Sequence, residues 1–209
     1  MNDILGGNYL KNNTNKSEIK VLAFDFWGVF ADLDHPMYSY MKKNGVDAEK
    51  YSQPIHDLII AHDLDKITEK EFLRKSSEVV GLELPYEVCR FALNEKLINQ
   101  KLVRMVEKLN KRYQIILITN NSREYCQTYL FETGLDKLFH DKVISYDVGY
   151  RKPAQEMYEI LIKKAKTKPS EILFIDDDDA KFPVAEKLGI KTLQYKRNIT
   201  DKILDKSLV

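Results

Sequence analysis

The chain has 209 residues, 44% hydrophobic and 31% charged, and a formal net charge of +1. That length suits one catalytic core with a modest insertion, and no apolar run approaches the ~20 residues that cross a bilayer, so a soluble protein is expected. A near-neutral chain without a dense Lys/Arg block gives neither nucleic acid nor an acidic membrane an electrostatic footprint, which excludes both as expected partners.

Residues 1–18 are polar and Asn-rich, lack an apolar stretch ahead of a small-residue cleavage site, and read as a loose tail rather than a secretion signal. Val21 to Phe24 then form an unbroken apolar run ending at Asp25, the pattern of a parallel strand buried on both faces. Residues 32–100 carry helical periodicity and no convincing strand. Within them Thr68 and Glu71 have capping-box spacing, Phe72, Leu73, Val79 and Val80 supply an apolar stripe, and Gly81 supplies a stop. Leu102, Val103, Val106 and Leu109 recur at helical spacing ahead of a second apolar run, Ile115 to Ile118. A third run, Val143 to Ile144, precedes a helix marked by Met157, Ile160, Leu161 and Ala165. The fourth, Ile172 to Ile175, precedes one marked by Val184, Ala185 and Leu188 that should end near Gly189.

This alternation predicts an α/β fold, a doubly wound and mostly parallel sheet whose ligands bind beyond the carboxyl ends of the strands. Its core should comprise residues 19–31 and 101–209, with residues 32–100 as a small helical cap inserted after the first strand. Cys89 and Cys126 have no metal-ligand spacing and sit in helical segments, so free buried thiols in a reducing cytoplasm are expected.

Chemistry-bearing residues cluster where the strands end. Asp25, in Phe24-Asp25-Phe26-Trp27-Gly28-Val29, is a carboxylate that can attack phosphorus or bind a metal, although a strand-end Asp also serves as a cap or turn residue. Thr119-Asn120-Asn121-Ser122 offers a hydroxyl and successive N–H groups that can hold phosphate oxygens; a capping turn would use the same residues. Lys152, fixed ahead of Pro153, is a compact point charge suited to phosphate, while most lysines are merely solvated. Asp176-Asp177-Asp178-Asp179 places at least two acids together, where a hard cation best relieves their repulsion; the competing reading is a solvated turn capping the next helix.

In that order the four motifs resemble those of the haloacid dehalogenase superfamily, whose members are mostly phosphatases with a Rossmann-like core, and the likeness covers about residues 19 to 195. The inserted segment resembles the superfamily's cap of the first type, and Lys66 to Gly81 is similar to the branch that contains the phosphatase domain of epoxide hydrolase and small sugar-phosphate phosphatases. The resemblance implies a Mg²⁺-dependent phosphatase in which Asp25 is the nucleophile, Thr119 and Lys152 hold the transferring phosphoryl group with Trp27, Gly28 and Asn120 around it, and Asp25, Asp176, Asp177 and the Trp27 carbonyl hold the metal. The partner it implies is a small phosphorylated metabolite such as a sugar phosphate or nucleotide. Oligomeric state is left open between monomer and homodimer.

Two positions depart from the family pattern. Trp27 stands where many of these phosphatases carry a second Asp as general acid and base, and indole cannot exchange that proton; Lys181 stands where the family often has Asn. His35 and Asp34 can approach the site from the cap entrance, but exposed linker residues are the default, and Tyr38, Tyr40, His56 and His62 either face the substrate space or form the cap's own core. The Trp27 departure keeps two alternatives open. One is a 2-haloacid dehalogenase, which shares an aromatic residue at that position but generally lacks the paired acids of the last motif. The other is a non-catalytic protein that holds a phosphorylated ligand. A signalling receiver domain is excluded by motif order, since its acidic pair precedes the phosphorylated Asp.

Overall fold

The computed structural model describes residues 18–32, 35–90, 95–197 and Thr200. The tail expected over residues 1–18, apart from Glu18, lies outside the described residues, as do Asp34 and residues 201–209.

Five parallel strands, β1 (Val21–Phe24), β2 (Gln114–Thr119), β3 (Asp141–Ile144), β4 (Ile172–Asp176) and β5 (Lys191–Gln194), pair in the order β3-β2-β1-β4-β5. The apolar runs are continuous because alternate residues face opposite sides of the sheet and both sides are covered. Leu22, Phe24, Ile115, Leu117, Leu173 and Ile175 join one core; Val21, Ala23, Ile116, Ile118, Ile172 and Phe174 join the other. β5 has no such signature in the sequence: Lys-Thr-Leu-Gln at the sheet edge is only partly buried along its length, so no apolar run marks it.

Between β1 and β2 lie α1 (Pro36–Lys43), α2 (Ser52–Asp63), α3 (Glu69–Val80) and the single turn α4 (Tyr86–Cys89), followed by α5 (Gln100–Leu109). α5 buries Leu102, Val103, Met105, Val106 and Leu109 against the first core, all on one stripe of the helix. A short α6 (Arg123–Cys126) continues into a π-helical turn, Gln127–Phe131, on the same side. After β3 come α7 (Ser145–Val148) and α8 (Gln155–Ala165), and after β4 comes α9 (Phe182–Lys187). α8 and α9 cover the opposite side through Met157, Tyr158, Leu161, Ala165 and Ala185. The chain leaves α9 at Gly189 with φ +86°, the left-handed stop expected there.

The inserted helices form a third cluster, in which Met37, Met41, Ile55, Phe72, Leu73, Val80, Leu84 and Cys89 are buried. α3 begins with the capping box expected from Thr68 and Glu71 and ends at Gly81 in the left-handed region. The insertion is closed at its neck, where Asp32 N donates to Leu97 O at 3.1 Å and Asn99 N donates to Phe30 O at 2.7 Å. Cys89 and Cys126 are buried and free.

Candidate active site

β1 lies between β2 and β4, and the chain order reverses between β1 and β4, so the ends of these three strands flank the crevice where ligands bind in open parallel sheets. Phe24 is level with Leu117 on one side and Ile175 on the other, and the next amide, Asp25 N–H, donates to Ile175 O at 2.9 Å. That register sets Asp25 beside Asp176. Lys152, on the loop between α7 and α8, reaches in from the flank and is 2% exposed.

Its ammonium bridges two acids: Nζ lies 2.8 Å from Asp25 Oδ1 and 2.6 Å from Asp176 Oδ2. Asp176 Oδ1 accepts the Asp178 N–H at 2.9 Å, so both its oxygens are oriented. Asp25, Asp176 and Asp177 each present an oxygen within 4.8 Å of the others. Two unit charges at such a separation repel by about 3–4 kcal/mol at an effective dielectric constant of ~20, and one ammonium leaves two of three negative charges uncompensated. The electrostatics carry the mark of that crowding. Burial, opposed by Lys152 and reinforced by Asp176, pushes the Asp25 carboxyl up to about 7, and burial with the neighbouring Asp176 raises Asp177. Burial pulls Lys152 down, but Asp25 and Asp176 outweigh it and hold the ammonium above its ordinary value.

The Thr119 hydroxyl is buried at the end of β2 and finds no hydrogen-bond partner among the described residues. Leaving such a group unpaired costs about 1–3 kcal/mol, which a bound oxygen that accepted this hydroxyl would recover. Asn120 has another task. Its Oδ1 accepts the Lys152 N–H at 2.7 Å while its Nδ2 donates to the Lys152 carbonyl at 3.0 Å, a two-point clamp on the backbone that carries the lysine.

The profile of the haloacid dehalogenase-like hydrolases matches residues 19–189. The chain belongs to that family. It is 28% identical over 194 residues to a D-ribitol-5-phosphate phosphatase from Bacteroides thetaiotaomicron, covering 84% of this chain and 91% of that one. Over 135 residues it is 27% identical to rat bifunctional epoxide hydrolase 2, which covers 59% of this chain but only 24% of the longer protein. Among solved structures, a haloacid dehalogenase family enzyme from Bacteroides thetaiotaomicron in complex with magnesium and inorganic phosphate shares the fold with a TM-score of 0.66 at 23% identity, over 86% of this chain and 96% of that one. L-2-haloacid dehalogenase from Xanthobacter autotrophicus shares it with a TM-score of 0.59 at 13% identity, over 91% and 84%.

In this haloacid dehalogenase-like hydrolase the four-acid run divides. Asp176 and Asp177 join the site, whereas Asp178 caps the Ala180 N–H and pairs with Lys181 at 3.0 Å, and Asp179 is exposed. Lys181 therefore neutralises an acid outside the site, and its carbonyl accepts the Tyr158 hydroxyl at 2.6 Å. Trp27 is half-buried, edge-on to Phe26 at 4.9 Å and to Tyr129 at 5.2 Å. Gly28 spends its N–H on Ala31 O at 2.8 Å and stands so close to Asp177 that a Cβ would overlap that carboxylate.

His35 is a correction to the sequence reading: it is 6% exposed, not a linker residue in solvent. Its Nδ1 accepts the Met37 N–H at 3.2 Å at the start of α1, which leaves Nε2 to carry the proton and donate to the Tyr125 oxygen at 2.6 Å. His62 is buried, stacked on Phe72 and 3.1 Å from Glu124 Oε2; Tyr38 and Tyr40 pack into the insertion's cluster, and His56 is exposed. Sequence reasoning missed Asp63, Ser145 and Arg151. Arg151 adjoins a motif and Ser145 directly follows a strand, but nothing local marks Asp63, whose partner Arg151 is 88 positions away.

Among the described residues no helix is long and apolar enough to cross a membrane.

Proposed function

We propose that the protein is a cytoplasmic Mg²⁺-dependent phosphatase that hydrolyses a small phosphomonoester through an aspartyl phosphate on Asp25. The observation that carries this reading is the convergence of Asp25, Asp176 and Asp177 within 4.8 Å, with Lys152 bonded to two of them. Three carboxylates, the lack of a side chain at Gly28 beside Asp177 and the spare Thr119 hydroxyl fit a hard divalent cation together with a phosphate, since Mg²⁺ takes oxygen ligands and shares them with substrate phosphates. Asp25, Asp176, Asp177 and the Trp27 carbonyl would hold the ion, which offsets negative charge at the phosphoryl group when bound.

The protein's own groups then have distinct tasks. Lys152 opposes the burial that raises the Asp25 carboxyl and attracts the phosphate. An Asp25 oxygen attacks phosphorus in line with the departing oxygen; the P–O bond to the leaving group breaks, and water later hydrolyses the acyl phosphate. The Thr119 hydroxyl and the backbone N–H of Asn120 donate to the equatorial oxygens, where charge develops. Trp27 cannot relay a proton, so the proton taken up by a sugar-alcohol leaving group must come from water or another donor rather than from that side chain. General acid help is typically worth ~10²–10⁴ in rate. Because one relative acts on D-ribitol 5-phosphate, small sugar-alcohol and sugar phosphates head the candidate substrates, ahead of nucleotides.

The paired acids disfavour the 2-haloacid dehalogenase alternative, whose displacement of halide from carbon needs no metal. Asp25→Asn should stay folded by its melting curve and lose phosphate release from p-nitrophenyl phosphate and from a sugar-phosphate panel by at least about 10³-fold, the scale seen when a nucleophile is removed. Undiminished turnover by a clean preparation of this variant would show the nucleophile to be misassigned. Chloride release from 2-chloropropionate, followed in parallel, reports on the dehalogenase. Mg²⁺-dependent phosphate binding without turnover by the wild type reports on a non-catalytic binding protein.

A further inference from the structure

The end of α2 is joined to two of the strand-end loops by contacts that no surface helix requires. Asp63, its last residue, is 7% exposed, and its Oδ2 receives both Nε and Nη2 of Arg151 at 2.9 Å. The Asp63 carbonyl accepts the Ser145 Oγ–H at 2.7 Å, and Ser145 Oγ in turn accepts the Asn121 N–H at 2.8 Å. Arg151 immediately precedes Lys152, and Asn121 lies two residues beyond Thr119. The Asn120 clamp then ties these loops to each other across the backbone of Lys152. Asp63 thus touches the supports of both the buried ammonium and the spare hydroxyl without touching either group.

We propose that Asp63 is a positioning residue of the reaction, by which the inserted helices hold the Thr119 and Lys152 loops in their working register. This rests on the phosphatase reading given above. A charge buried this deeply is stable only with its partner, so the pair has one low-energy geometry and fixes Arg151 in place. A lysine that must meet developing charge loses effect when displaced: a shift of about 1 Å can cost ~10²-fold. The neighbouring link joins the same turn to the start of α6: Asp65 Oδ2 lies 2.8 Å from Arg123 Nε and its Oδ1 accepts the Arg123 N–H at 3.1 Å, but Arg123 is mostly exposed and, among the described residues, nothing bonds it to Lys152. It serves as the control.

The test compares Asp63→Asn, Arg151→Lys and Asp65→Asn in the full chain with Mg²⁺ and p-nitrophenyl phosphate. Asp63→Asn is expected to lower kcat about 10–100-fold with KM changed by less than about threefold, because the lost precision is felt most where charge develops. Arg151→Lys, which keeps the charge but not the fork, should fall in between, and Asp65→Asn should stay within about twofold, as for an exposed pair. Amide hydrogen exchange supplies a reading that needs no turnover: in Asp63→Asn, residues 119–123 and 150–153 should exchange faster while 176–178 do not. If Asp63→Asn folds poorly, Arg151→Lys carries the same two measurements. Unchanged kcat and unchanged exchange in an active enzyme overturn the inference alone. A wild type inactive on every phosphomonoester overturns the phosphatase reading, and the exchange result still decides whether Asp63 orders the loops.

Discussion

Gly28 shows how narrowly the site is drawn. Its backbone has φ +74°, and a Cβ would land on the Asp177 carboxylate, so Gly28→Ala must both strain the turn and displace a carboxylate that faces Asp25. Activity should drop at least about tenfold, the effect of a misplaced group, and isothermal titration should show weakened Mg²⁺ binding; tight metal binding in this variant would contradict the role given to Asp177. His35 offers a pH test. Burial, with His62 nearby, lowers it to about 4 from the ordinary 6.5, so the folded protein keeps it neutral where the unfolded chain takes up a proton. Its contribution is therefore whole above about pH 6.5 and is lost as pH falls towards 4, by up to about 3 kcal/mol. Urea unfolding at pH 7.5 and 4.5 should show a smaller acid loss for His35→Asn than for wild type, and equal losses would mean that His35 does not resist protonation. Neither residue's environment could be read locally. Gly28 stood beside a motif, but its near contact with residue 177 comes from strand packing, and His35 looked like a linker because Tyr125, its partner, lies 90 positions away.

Elements whose stability is local were legible, and those stabilised by neighbours were legible only when buried on both sides. α3 announced itself through Thr68, Glu71 and Gly81, all of which act within one turn of their own position. β1, β2 and β4 did so because being sandwiched between helices demands an unbroken apolar run. β5 was silent, since an edge strand half open to solvent can be built from Lys-Thr-Leu-Gln as long as β4 offers it a ladder. The two kinds of signal differ in energetic weight. Removing the cap with Thr68→Ala should cost about 1 kcal/mol. Opening a void beneath α5 with Leu102→Ala, at a fully buried position, should cost about 2–5 kcal/mol. Denaturant titration distinguishes them, and equal costs would mean that α5 does not anchor its side of the sheet.

For the molecule as a whole, the site is a concentration of like charge that folding tolerates because Lys152 offsets part of it. A divalent cation that binds only the folded state should therefore stabilise the protein. With Mg²⁺ at about a hundred times its dissociation constant the gain is about 2.7 kcal/mol, which for a chain of this size raises the melting temperature by roughly 5–10 °C. Millimolar Mg²⁺ should produce that rise in the wild type and not in Asp176→Asn, and a wild-type melting curve indifferent to Mg²⁺ would remove the metal from the site. The sequence by itself determined the alternation of strands and helices and the four strand-end motifs, since apolar runs, caps and the residues that end them are local chemistry. Only the tertiary structure decided that β1 lies between β2 and β4, which brings Asp25 beside Asp176, sends two of four adjacent acids elsewhere, and turns Asn120 onto the Lys152 backbone. It also brought Asp63 against Arg151. Those outcomes depend on contacts between residues tens of positions apart, whose partners exist only once the sheet has closed and the inserted helices have docked on it.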